Sequence, residues 1–283
     1  METELREVQL ACYDVLKAFK KVCEKKNLRY YLAFGTLLGS IRHSGFIPWD
    51  DDIDVWMPRP DMEEFLNSCQ EDMKPYVINY FTIDNNASMK YRSQPCIENH
   101  EFRRVGFRLG NNVVPGYVWI DIMPLDGMPE NENQQKKQNR CFRWWYMILG
   151  FARSSVVGAF NPVSKRGLKK FGMKLNEKIN IGRFLNIEKC LAKFDEKRKR
   201  YSFDNSDYCT GTTTSYTDRA LFPKEWFVGN RKHQYEDEEF SIPLETEKIL
   251  HQLYGDFMKT PPEEMRKGSH FHILNYEEYL NDE

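Results

Sequence analysis

The stretch GFIPWDDDIDVWMP, residues 45–58, places four aspartates within five positions and then runs straight into apolar and aromatic residues. On an extended chain, side chains two apart point the same way, so Asp50, Asp52 and Asp54 are expected on one face and Asp51 and Ile53 on the other. Carboxylates at that spacing repel one another unless a cation sits between them. Mg²⁺ is normally held by one or two carboxylates plus the phosphate oxygens of a substrate. A calcium loop competes, because Asp50, Asp52, Asp54 and Asp61 fall at positions 1, 3, 5 and 12 of an EF-hand count. Position 6, which needs glycine for its sharp turn, is Val55, and position 12 is aspartate rather than glutamate. A solvated acidic turn ahead of a strand is the plainer alternative.

A second feature lies upstream. Arg29–Phe34 reads as a short aromatic and apolar strand that ends at Gly35, and helical spacing resumes from Thr36, whose hydroxyl can cap it. A glycine turn at a helix N-terminus presents backbone N–H groups, a ready cradle for phosphate. Gly39-Ser40 is a further Gly-Ser pair, one turn inside that helix. Strand, Gly35-Thr36, helix and then Asp-Ile-Asp on the next strand would put an anion cradle and metal ligands on adjacent strands.

These residues need a frame. Residues 4–26 carry apolar positions at helical spacing. A strand over DIDVWM is closed by Pro58, and a helix follows with Asp61 as its cap and Glu64 at the capping-box position. Short apolar runs between 76 and 122, separated by Asn, Gly and Pro, read as sheet. Residues 132–200 read as helical, and the C-terminal part as mixed and loop-rich, ending in two short helices. The expected whole is α/β, a helix and a sheet-centred module to about residue 128 with a largely helical remainder packed on it.

Composition narrows the function. With 41 basic and 42 acidic residues the net charge is −1, which argues against a nucleic-acid coat. The charge is unevenly spread: residues 162–200 hold thirteen Lys/Arg against four Asp/Glu, and residues 235–283 hold thirteen Asp/Glu against four Lys/Arg. Seven scattered cysteines without a CxxC pair speak for a reducing compartment. With no signal-peptide pattern and no run of membrane-spanning length, the expectation is a cytoplasmic protein. The aromatic segment 141–160 beside the basic region reads as a core helix, with peripheral membrane contact on the cytoplasmic face as the alternative.

The run YYLAFGTLLGSIRHSGFIPWDDDIDVWMPRPDMEEF, together with WIDIMPLDGMP at 119–129 and YGDFMKTPPEEMR at 254–266, resembles the LicD family, which includes fukutin and fukutin-related protein, within the nucleotidyltransferase-fold superfamily. The resemblance implies a mixed β-sheet flanked by helices. It divides the chain into an N-terminal helix (1–27), a catalytic module (28–130) and a mostly helical acceptor or lid region (131–283). It implies transfer of phosphocholine from CDP-choline to a sugar of a cell-surface glycan or teichoic-acid precursor, with Mg²⁺ or Mn²⁺ as cofactor and a glycan or lipid-linked glycan as acceptor. CDP-ribitol or CDP-glycerol as donor, or a non-catalytic nucleotide- or glycan-binding module, are the alternatives.

Carried over residue by residue, Asp52, Asp54 and Asp121 would be the catalytic and metal-binding carboxylates. Gly35, Thr36, Gly39, Ser40, Arg42 and His43 would form the phosphate-binding region, with threonine at 36 where serine is commoner. Asp50 and Asp51 would tune the site, and Asp126 would order the PLDG turn. Apart from the resemblance, Lys90 and Arg92 share a strand face and could reach phosphate, and an exposed sheet face explains them equally well. A choline headgroup favours aromatic faces, and Trp49, Trp56, Tyr117 and Trp119 lie near the proposed ligands in sequence.

Overall fold

The computed structural model describes residues 2–83, 92–102, 105–109, 112–157, 181–211, 219–229, 231–266 and 271–275. Lys90, and residues 158–180 of the expected helical region, lie outside them.

Helix α1 (Glu2–Lys26) is the amphipathic segment expected from the spacing, extended by two residues at its start. Val8, Cys12, Val15 and Phe19 bury its inner face, which packs on strands β4 (Cys96–Asn99) and β7 (Val118–Met128). The main sheet runs β1 (Tyr31–Leu32), β2 (Asp54–Pro58), β7, β4, β3 (Val77–Asn79), and the far end of β7 also pairs with β8 (Tyr208–Thr210), which pairs with β9 (Leu221–Pro223). Among the described residues only β2 and β7 pair in parallel in this sheet; its other pairs are antiparallel. The outcome is the expected mixed sheet flanked by helices. Strands β5 (Val105–Leu109), β6 (Asn112–Gly116) and β12 (Phe271–Asn275) form a separate small sheet, and β10 (Arg231–Tyr235) with β11 (Glu238–Ile242) a hairpin. The last described element is thus a strand. Of the short helices expected at the C-terminal end, the structure shows one of nine residues, Thr246–Tyr254, and one 3-10 turn, Glu263–Met265.

β7 corrects one reading. PLDG looks like a turn, yet the strand continues through it to Met128, and Asp126 stands inside the strand with no exposed surface. The backbone shows why Pro124 is tolerated. Asp121 N–H donates to Ile53 on the β2 side and Ile122 N–H to Pro95 on the other. The N–H that Pro124 lacks would therefore point away from β2, beyond the end of the β4 pairing at Asp121.

Helix α2 (Phe34–His43) follows β1, and α3 (Arg59–Ser68) follows β2. Asp61 does not cap α3, which already starts at Arg59. It instead accepts from the Arg29 backbone N–H at 2.8 Å and the Arg29 guanidinium at 2.6 Å. Helix α4 (Glu132–Val157) buries Phe142, Leu149 and Ala152 against α5 (Ile187–Arg198), a small second core, while Trp144 is 58% exposed on its outer side. Among the described residues no helix is long and apolar enough to cross a membrane. All seven cysteines are unpaired.

Candidate active site

The acidic stretch meets the sheet at its centre. β2 begins only at Asp54, so residues 50–53 are loop, and the alternation expected to part Asp51 from its neighbours is not realised. In that loop Asp50, Asp51 and Asp52 converge, each offering a carboxylate oxygen within 4.8 Å of the others. Asp51 is buried at 2% exposure, whereas Asp50 and Asp52 are half-buried. Asp54 opens β2 opposite Asp121 on β7, and aligned positions on neighbouring strands share a face. Behind them, Cys12 on α1 has its thiol pushed up by burial and further by the negative charges of Asp52, Asp51 and Asp121, which lie within electrostatic reach of one buried sulfur. Gln9, also on α1, fixes the loop by donating to the Asp50 carbonyl at 2.8 Å. Neither α1 residue is legible as a site residue, because both read as part of an ordinary amphipathic helix.

The expected glycine turn is itself helix and lies directly beside this cluster. α2 starts at Phe34, so Gly35 and Thr36 both lie inside its first turn, and Thr36 is not its cap. The Thr36 hydroxyl instead accepts from the Asp54 backbone N–H at 2.9 Å, and Ala33 N–H donates to the Asp54 carbonyl at 3.0 Å. Two bonds thus tie the helix N-terminus to the first residue of β2. Phe34 adopts φ 42°, a left-handed conformation unusual for a bulky residue. Its ring is held against Trp56 at 4.8 Å. Gly35 has a steric reason to be glycine: a Cβ there would lie 2.7 Å from Asp50 Oδ2. That obstacle is one side-chain carboxylate, so Gly35→Ala should fold normally, displace Asp50 and weaken Mn²⁺ binding by about tenfold; calorimetric titration with Mn²⁺ checks this.

Asp121 has both oxygens engaged. Trp119 Nε1 donates to Oδ2 at 3.1 Å, and Arg92 pairs with Oδ1. Arg42 and His43 stand at the opposite end of α2 from Gly35, seven residues along, or roughly 10 Å at the helical rise. Arg42 donates to the Phe257 carbonyl and to His43 Nε2, both at 3.0 Å. Burial, then Arg42, hold the His43 pKa below its ordinary value. Ser40 has no exposed surface, and its hydroxyl donates to the Gln234 carbonyl at 2.8 Å. Gly39 packs against the Gly45 carbonyl.

The aromatic candidates separate. Trp56 is core, with no exposed surface and rings of Phe34, Phe222 and Phe227 around it, so it cannot line a headgroup site. Trp49 is half-buried, with the edge of His43 nearby and the Arg266 guanidinium 5.3 Å over its ring. Trp119 carries Arg92 at 4.5 Å, and Tyr117 stacks on His100 at 3.8 Å. Asp126 is the hub of a buried ion-pair network with Arg59 and Arg198 rather than a turn residue.

The donors of the cluster are all carboxylate oxygens, the set that suits a hard divalent cation. A mixed sheet, a helix with glycine in its first turn and converging carboxylates at the head of the adjoining strand define an α/β protein whose site can hold such a cation beside a helix N-terminus. Residues 27–112 match the family described as LicD/FKTN/FKRP, nucleotidyltransferase domain. The lipopolysaccharide cholinephosphotransferase LicD of Haemophilus influenzae is 31% identical over 288 residues, covering 94% of this chain and 96% of that protein. An uncharacterized protein of Rickettsia typhi is 25% identical over 154 residues, covering 54% of this chain and 43% of its own. The chain belongs to the LicD family.

Proposed function

We propose that this protein transfers phosphocholine from CDP-choline to a sugar hydroxyl of a cell-surface glycan or teichoic-acid precursor on the cytoplasmic side. The observation that carries the reading is the convergence of Asp50, Asp51 and Asp52 beside a helix N-terminus tied to Asp54, in a chain similar over nearly its whole length to a cholinephosphotransferase. Asp52, Asp54 and Asp121 would hold Mg²⁺ or Mn²⁺, with Asp50 and Asp51 adjoining. When bound, the cation supplies Lewis-acid stabilisation of charge on the diphosphate. The Gly35-Thr36 turn offers backbone N–H groups to the phosphate of the departing CMP. The acceptor oxygen forms the new bond to phosphorus as the bond to the CMP oxygen breaks, and the hydroxyl proton passes to a carboxylate of the cluster. For a cationic headgroup the half-buried Trp49 and Tyr117 are the aromatic candidates, Trp119 being buried under the Arg92 guanidinium.

A thermal-shift panel of CDP-choline, CDP-ribitol, CDP-glycerol, CTP and ATP, each with and without Mg²⁺, tests this. CDP-choline with Mg²⁺ should give the largest shift, since a ligand at a hundred times its Kd adds about 2.7 kcal/mol. An equal shift with CDP-glycerol would remove the choline assignment. No shift with any of the five would remove the enzyme reading.

A further inference from the structure

Arg92 lies just ahead of β4, and its guanidinium is placed at the site rather than in solvent. It pairs with Asp121 Oδ1 and lies over the Trp119 ring at 4.5 Å, while Trp119 donates to the other oxygen of the same carboxylate. Each Asp121 oxygen is thus engaged, whereas the buried Nε of Arg92 has no hydrogen-bond partner among the described residues. A cation that used Asp121 as a ligand would compete with Arg92 for the same oxygens. A guanidinium displaced there would need another planar pair of anionic oxygens within reach, and a diphosphate beside the cation supplies them.

We propose that Arg92 is a phosphate-binding residue of the donor site, resting on Asp121 and Trp119 without donor and turning to the donor's diphosphate when a divalent cation takes Asp121. This rests on the proposed reading, since it needs a nucleoside diphosphate in the site. The exchange keeps charges matched throughout, as the carboxylate trades guanidinium for metal and the guanidinium trades carboxylate for phosphate.

The test uses the full chain, Arg92→Met and Arg92→Lys, with calorimetric titration of Mn²⁺ alone and then of CDP in saturating Mn²⁺. Arg92→Met should bind Mn²⁺ as tightly as the parent or more tightly, because Asp121 has lost a competitor, and should bind CDP about tenfold or more weakly. Arg92→Lys, which keeps the charge without the planar fork, should fall between the two for CDP. CDP affinity within twofold of the parent in Arg92→Met overturns the assignment. So does a parallel loss of Mn²⁺ and CDP binding, the mark of a structural prop. Failure of the phosphocholine reading looks different: the parent would bind CDP but bind CDP-choline no better, while the Arg92 series still decides the role of Arg92. No CDP binding by the parent overturns both.

Discussion

Asp52→Asn is expected to lower kcat/KM for phosphocholine transfer by about a thousandfold while leaving the melting temperature unchanged or raised. The loss follows from the cation's share of transition-state stabilisation, several kcal/mol, at about 1.4 kcal/mol per tenfold in rate. The preserved fold follows from the geometry. Asp52 is half-buried in a loop, its oxygen is within 4.8 Å of two other carboxylates, and an amide of the same shape removes one like charge from that group. Catalysis should therefore fall with no loss of stability, which a merely structural aspartate would not produce. Asp121→Asn should show the other pattern, losing activity and stability together, because it also leaves the Arg92 guanidinium without its counter-charge. Steady-state kinetics with a thermal melt on each variant makes the comparison. If Asp52→Asn kept activity within a few-fold of the parent, Asp52 would not be a metal ligand.

The sequence was most informative where local pattern and local structure coincide. The inner face of α1 and the strand after the aspartates are each set by residues within one or two turns of one another, so periodicity suffices. Misreadings arose where a distant partner wins. Thr36 has the right hydroxyl for a cap, but a strand N–H eighteen residues away takes it. Asp61 sits at a cap position, yet Arg29 holds it from beyond the start of α3. Strand alternation failed for Asp50 to Asp52 because the chain must first bend around the N-terminus of α2, as the close approach of Asp50 to Gly35 shows. Asp126 was misread for the same reason, since Pro124 and Gly127 mimic a turn and its partners Arg59 and Arg198 are 67 and 72 residues away.

Asp126→Ala should therefore carry the largest stability cost of any substitution considered, about 3–5 kcal/mol, the range for removing one partner of a buried ion pair. The carboxylate has no exposed surface and receives Arg59 Nε at 2.5 Å, Arg59 Nη2 at 2.9 Å and Arg198 Nε at 2.8 Å. Without it the two guanidiniums are not equally stranded. Arg59 keeps Asp195 at 2.9 Å, whereas Arg198, which feels Asp195 only at longer range, keeps among the described residues a hydrogen bond to the Ser93 carbonyl at 3.3 Å and has a buried Nη2 without a partner there. Adding Arg198→Met removes that uncompensated charge, so the double variant should be more stable than Asp126→Ala alone, a non-additivity that urea denaturation reads directly. The network also has a pH signature. Burial alone would raise the Asp195 pKa, but Arg59, Lys199 and Arg198 more than offset it and hold it below its ordinary value. A carboxylate depressed in the fold stabilises fully above its unfolded pKa and loses that contribution as pH falls through the folded value. The cost of Asp195→Asn should accordingly be complete at neutral pH and shrink in acid. Because β7 carries Asp121 five residues before Asp126, loosening this anchor should also lower turnover in Asp126→Ala protein that remains folded. A cost below about 1 kcal/mol for Asp126→Ala, or full additivity with Arg198→Met, would show that these charges do not hold β7 against α5.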